Sequence, residues 1–229
     1  MTIAGGDQKN PSVAMPSNED FTIIVWQDGR GNDLDIYAQK IDNVTGIALW
    51  WPPDGVPVCT AENDQRNPRA AYDTLGGVII TWEDCREDPT NAMAGIYATR
   101  LLVTSGALSP GWQPDGDAIC AGSWNCSRPR IAGNGEGAYI VWTDERQGSD
   151  NRDVYLQYIL SDGRVAPGRW QAGGICVPAN ADPDQINGEV ARDHAWQWND
   201  DLSAYVCGAV VAYQDKRNVS SSNGEPCWN

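Results

Sequence analysis

The sequence predicts an all-β fold, a β-propeller of about four four-stranded antiparallel blades closed or completed by its N-terminal strand segment. Three observations carry that expectation. An apolar β-branched run closed by an aromatic and then x-Asp-x-Arg recurs as "TIIVWQDGR" (22–30), "VIITWEDCR" (78–86), "YIVWTDER" (139–146) and "AVVAYQDKR" (209–217). The segments flanking each run recur in the same order, which is the signature of tandem supersecondary units. Finally, 24 Gly and 14 Pro in 229 residues punctuate short apolar stretches, as strands and turns require.

Each unit opens on a turn and short strand, seen as N-P-S-V-A (10–14), N-P-R-A-A (67–71), R-P-R-I-A (128–132) and N-G-E-V-A (187–191). The central run follows. Ile-Ile-Val-Trp is apolar on both faces, which suits a strand held between two neighbouring sheets. Next come "DIYAQKI" (35–41), "GIYATRL" (95–101) and "DVYLQYI" (153–159), more mixed in character and so expected further from the axis. "DNVTG" and "SDG" supply the positive-φ residues of hairpin turns. A last strand carries Trp51, Trp112 or Trp170 and ends in "VPVC", "DAIC" or "GGIC", so Cys59, Cys120 and Cys176 are repeat positions. Four-stranded units in tandem stack around an axis as propeller blades. One domain spans 1–229, with units at approximately 10–66, 67–127, 128–186 and 187–229 and with 1–9 completing the last. The fourth unit departs from the rest: Tyr213 replaces Trp, an insertion occupies 193–205, and 218–229 stands where the Tyr run belongs.

The pattern W-x-D-x-R, D-I-Y-A-Q, W-x-x-D-G and D-Q-R-N-P resembles a repeat of secreted or surface-attached bacterial proteins. That resemblance implies propeller blades and an extracellular setting. It implies little about activity.

A formal net charge of −15 and a pI near 4.2 disfavour nucleic acid as a partner. No apolar run is long enough for a membrane helix, so no membrane insertion is expected. The first ten residues lack the basic and apolar regions of a signal peptide. Cys59, Cys85, Cys120, Cys126, Cys176, Cys207 and Cys227 contain no C-x-x-C, which favours two or three disulfides over a metal site and points to the cell surface or exterior.

The repeated Asp28/Arg30, Asp84/Arg86, Asp144/Arg146 and Asp215/Arg217 read as structural ion pairs, because a ligand site would use residues that differ between units. "DGRGNDLD" (28–35) and "DERQGSDNRD" (144–153) offer weak Ca²⁺ candidates in Asp28, Asn32, Asp33, Asp35, Asp144 and Asp153. Neither loop has EF-hand spacing, so a solvated turn is the better reading and no cofactor beyond Ca²⁺ is implied. Trp50, Trp124, Trp196, Trp198 and Trp228 do not repeat and are candidates for binding or assembly. With His194 the sole histidine and no nucleophile motif, no catalytic residues are assigned and no enzymatic activity is expected. The leading expectation is a non-enzymatic structural or adhesive module that associates with itself by strand completion, possible assemblies including a filament or surface layer. The alternative is a carbohydrate-binding, lectin-like propeller with glycan partners, and a glycan hydrolase ranks behind both.

Overall fold

The computed structural model describes residues 4–16, 19–168, 170–177, 184–199 and 204–215. Those residues are all-β, without a helix, and therefore hold no helix long and apolar enough to cross a membrane. The first antiparallel sheet contains β1 (Gln8–Ala14), β2 (Phe21–Asp28), β3 (Asp35–Asp42) and β4 (Val56–Cys59), adjacent in chain order. The second repeats it with β5 (Gln65–Tyr72), β6 (Gly77–Asp84), β7 (Gly95–Leu102) and β8 (Asp117–Cys120). The third contains β9 (Cys126–Gly133), β10 (Gly137–Asp144), β11 (Asp153–Leu160) and β12 (Ile175–Cys176). A fourth has two strands among the described residues, β13 (Gln185–Asn199) and β14 (Ala204–Asp215).

The period-2 side-chain alternation of the central strands builds the core, since successive residues serve opposite neighbours. Ile23 and Val25 of β2 pack with Val78, Ile80 and Trp82 of β6. Ile79, on the other face of β6, packs with Ala138, Ile140 and Trp142 of β10. Tyr139 and Val141 then meet Val190, Ala209 and Val211 of the fourth sheet. Trp82 and Trp142 are fully buried, and each carries a large share of its interface.

The first strand of each sheet is bulged at one repeated position. Asn10, Asn67, Arg128 and Asn187 have φ of 50°, 55°, 58° and 57°, and the pairing register slips beside each. Pro11, Pro68 and Pro129 follow three of them, and a proline both withholds a ladder donor and disfavours right-handed helical geometry in the residue before it. Asn187 adopts the same conformation before Gly188, so proline reinforces the bulge in three sheets without being required for it.

Ring closure through the N-terminal segment is not seen. Residues 4–7 form no strand, and Gly29 donates its N–H to the Asp7 carbonyl at 2.8 Å, tying that segment to the first sheet. No strand joins the first and fourth sheets among the described residues. Of residues 1–9, expected to complete the last unit, Gln8 and Lys9 belong to β1 of the first sheet and 1–3 lie outside the described residues.

Candidate functional site

The W-x-D-x-R motif builds one device in three sheets. In the second, the fully buried Asp84 carboxylate accepts Trp82 Nε1 at 2.7 Å, and Arg86 through its backbone N at 2.9 Å, Nε at 2.9 Å and Nη2 at 2.6 Å. Arg86 Nη2 continues to the Asp115 carbonyl at 2.7 Å, and its guanidinium lies 4.1 Å from the Tyr97 ring centroid. Asp28 and Asp144 make the same set with Trp26 and Arg30 and with Trp142 and Arg146. There the Arg reaches the Asp54 carbonyl at 3.0 Å or that of Gly173 at 2.8 Å, while stacking on Tyr37 or Tyr155. Gly116 sits at φ 86° under Trp82, where a Cβ would come within 2.5 Å of the indole. Burial pulls the Asp28 carboxyl upward, but hydrogen bonds from Arg30 and Trp26 outweigh it and hold it below the ordinary value. The three Asp and three Arg side chains are thereby occupied by one another. Asp215 and Arg217 fall outside the described side chains.

The residues free to differ lie between the Trp and Asp of that motif and at the bulge. Asn10 Nδ2 donates to Gln27 Oε1 at 2.7 Å and to Asn67 Oδ1 at 2.9 Å. One sheet on, Asn67 Nδ2 donates to Glu83 Oε2 at 2.9 Å, Arg66 Nε joins the same oxygen at 3.1 Å, and the backbone N of Arg128 reaches Glu83 Oε1 at 2.8 Å. Arg128 Nη1 donates to Asn187 Oδ1, and Asn187 Nδ2 to Gln214 Oε1 at 2.9 Å. This polar track runs sheet to sheet along the bulged strands.

Along it opens a cleft of about 430 Å³ lined by Arg66, Asn67, Glu83, Asn125, Ser127, Arg128, Thr143, Glu145 and Arg152. Arg152 is paired with Asp184 at 2.7 Å. The Glu145 carboxylate accepts no hydrogen bond from a described residue, although its charge is felt by Arg152. Thr143 Oγ1 is buried without any hydrogen-bond partner. Gln27 and Glu83, at the same repeat position, each accept the backbone N–H of the next bulge residue; threonine is too short to extend as they do. An unmatched buried hydroxyl is costly unless something else uses it. None of the cleft residues was read from the sequence as part of a ligand site, yet a signal was there: Gln27, Glu83, Thr143 and Gln214 vary at one position of an otherwise constant motif.

The other sequence candidates are dispersed. Trp50 is 87% exposed at φ 66°. Trp124 is half-buried, close over Gly122, and lines a separate cleft of about 200 Å³ with Glu87, Asp88 and Tyr97. The side chains of Trp196 and Trp198, and all of Trp228, lie outside the described residues. The Ca²⁺ candidates are not drawn into a cluster. Asp28 and Asp144 are committed to their Arg and Trp partners, and no three carboxylates among the described residues converge within 4.8 Å. Burial, reinforced by the charges of Asp33 and Asp28, pushes the Asp35 carboxyl up to about 6. Asp153 is likewise raised by burial and by Asp144.

The cysteine expectation needs correction. Cys120 and Cys126 form a disulfide, joining the last strand of the second sheet to the first strand of the third. Cys59, Cys85 and Cys176 are thiols. The reason is positional: Gln65 and Gln185 open β5 and β13 where Cys126 opens β9, so no cysteine stands at that position for Cys59 or Cys176. Burial raises the thiol pKa of all three, that of Cys85 and Cys176 to about 11. The Cys207 side chain and Cys227 lie outside the described residues.

No protein-family model and no curated protein matches the chain. Solved structures do. An α-L-arabinanase from Cellvibrio cellulosa, complexed with arabinohexaose, aligns at 12% identity over 90% of this chain and 73% of its own, with a TM-score of 0.42. An endo-arabinase from Bacteroides thetaiotaomicron aligns at 13% identity over 89% and 74%, with a TM-score of 0.47. A structure from a family of mannoside phosphorylases, containing glycoside hydrolases that target β-1,2-mannosidic linkages in Candida mannan, aligns at 10% identity over 82% and 58%, with a TM-score of 0.43. These matches contradict two expectations, the non-enzymatic, self-assembling structural or adhesive module and the absence of enzymatic activity, because carbohydrate-active proteins are what the fold comparison returns. At these TM-scores the likeness transfers no activity or substrate to this chain.

Proposed function

We propose that the sheets are blades of a β-propeller and that the cleft along their bulged inner strands is a carbohydrate site. The observation that supports this most directly is the lining itself: carboxylates, guanidiniums, amides and hydroxyls around about 430 Å³, with the Thr143 hydroxyl buried and unmatched. A sugar hydroxyl donates and accepts at once, so it is recognised by donors and acceptors interleaved at fixed positions. The Cys120–Cys126 disulfide supports an extracellular setting, where glycans are encountered.

Two carboxylates share the cleft, which favours hydrolysis as the chemistry. Glu83 is immobilised by Arg66, Asn67 and the Arg128 backbone, whereas Glu145 is not held by any described donor. Glycoside cleavage uses a pair of acidic groups flanking the bond.

Binding to an oligosaccharide panel, followed by measurement of newly released reducing ends, tests the reading. Thr143→Val is the decisive variant, since it removes a hydroxyl with no partner in the protein while preserving shape. It should leave the melting temperature unchanged or slightly higher and weaken glycan binding about tenfold. Glu145→Gln should retain binding and stop product release. Glycan binding indifferent to Thr143→Val, or none across the panel, would sink the proposal.

A further inference from the structure

We infer that the cleft accepts a sugar bearing a carboxylate, a uronic acid residue, and that Arg128 is the specificity-determining side chain. This rests on the carbohydrate reading of the cleft and goes beyond it by naming a substrate class.

Three of the four bulge positions hold asparagine, a residue whose short polar side chain tolerates left-handed geometry, and the fourth holds Arg128 at φ 58°. A long side chain without that tolerance stands where the repeat shows a cheaper solution three times over. Backbone strain at one member of a repeat is a reason to look for a local use of that residue.

Its surroundings supply one. Arg66 pairs with Glu83 at 3.1 Å, Arg130 with Glu189 at 2.8 Å and Arg152 with Asp184 at 2.7 Å. Arg128, in a chain with 31 acidic and 16 basic residues, forms no ion pair with a described carboxylate; its Nη1 donates to the Asn187 amide oxygen alone. Glu83 is saturated by its own donors, one of them the Arg128 backbone N–H rather than its side chain. Glu145 bears on Arg152. The remaining face of the guanidinium is a planar fork of donors matched to a planar carboxylate, and Thr143 lines the same cleft with its hydroxyl buried just behind the wall. The net charge of −15 opposes a polyanion at long range, but beyond about 8 Å that repulsion is screened at physiological ionic strength, so an isolated carboxylate suits the site best.

The test uses oligosaccharides carrying a single glucuronate or galacturonate, each paired with its methyl ester, titrated calorimetrically into the wild-type chain and into Arg128→Asn. That variant installs the residue the other three units use at the same φ, so it should fold. The free acids should bind at least tenfold more tightly than their esters, and Arg128→Asn should abolish that difference. Acid and ester bound equally by the wild type, or an acid preference that survives in Arg128→Asn, would overturn the uronate inference and leave the carbohydrate reading standing. Failure to bind any oligosaccharide, neutral or acidic, would overturn both.

Discussion

Replacing Asp84 by asparagine tests whether the repeated W-x-D-x-R device stabilises the fold. The carboxylate is fully buried and accepts four N–H hydrogen bonds, from Trp82 Nε1 and from Arg86 through N, Nε and Nη2, with the Cys59 thiol as a fifth, longer donor. An amide offers one oxygen where two are needed, and its NH₂ would face a donor on whichever side it points. The variant loses charge-assisted bonds worth about 1.5 to 3 kcal/mol apiece, partly offset by water reaching the less buried guanidinium. Breaking a buried pair from one side costs about 3 to 5 kcal/mol, and that is the expected destabilisation. It corresponds to a melting temperature lower by roughly 10 °C. Urea unfolding followed by tryptophan fluorescence and circular dichroism measures it. Arg86→Met and the double variant complete a cycle in which the double should cost less than the sum of the singles, because removing both partners leaves no unpaired buried charge. A cost below about 1 kcal/mol for Asp84→Asn, or strict additivity in the cycle, would refute the argument.

The Asp35 carboxyl, pushed up to about 6, should make stability fall as pH rises from about 4 to about 6, since over that window the folded state holds a proton that the unfolded chain has released. Asp35→Asn should therefore be more stable than the wild type at pH 7 to 8, with the advantage disappearing near pH 4; melting temperatures across that range would show it, and a pH-independent difference would contradict it. Asp28 has the opposite sign: its lowered value contributes stability above about pH 4 that is lost on further acidification. Reduction of Cys120–Cys126, which closes a short loop of sequence separation 6, should lower the unfolding free energy by about 2 kcal/mol, read as a shift of the urea midpoint on adding a reductant, and an unchanged midpoint would show that the link contributes nothing.

Much of the architecture was legible because each unit states its strands in alternation and its turns in Gly, Asn and Asp. Ile-Ile-Val-Trp is apolar on both faces for a reason visible in the packing: Ile79 and Ile80 serve different neighbouring sheets. The cleft was illegible for the converse reason. Arg66 carries no spacing rule that marks it, and it meets Asn125 and Glu145 only because the bulge after Arg66 and the turn before Cys126 bring two sheets together at one end. Glu83 and Thr143 could have been noticed as variable residues inside a constant motif, which is where a repeat protein has latitude to specialise. Cys59, Cys85 and Cys176 were misjudged as disulfide candidates because cysteine count says nothing of register. Cys59 and Cys120 are equivalent, but only Cys120 has a cysteine across from it.

The sequence distances bridged by the Arg device bear on how the chain is made. Asp and Arg are two residues apart, and the Arg then captures a carbonyl 24, 29 or 27 residues downstream, each time in the turn that leads into the last strand of its own sheet. Contacts of such short range carry a small loop-closure penalty and form early. Each sheet can therefore lock as soon as its last strand leaves the ribosome, before the next has been translated, and the nascent chain need expose only one apolar face at a time while it waits for its neighbour.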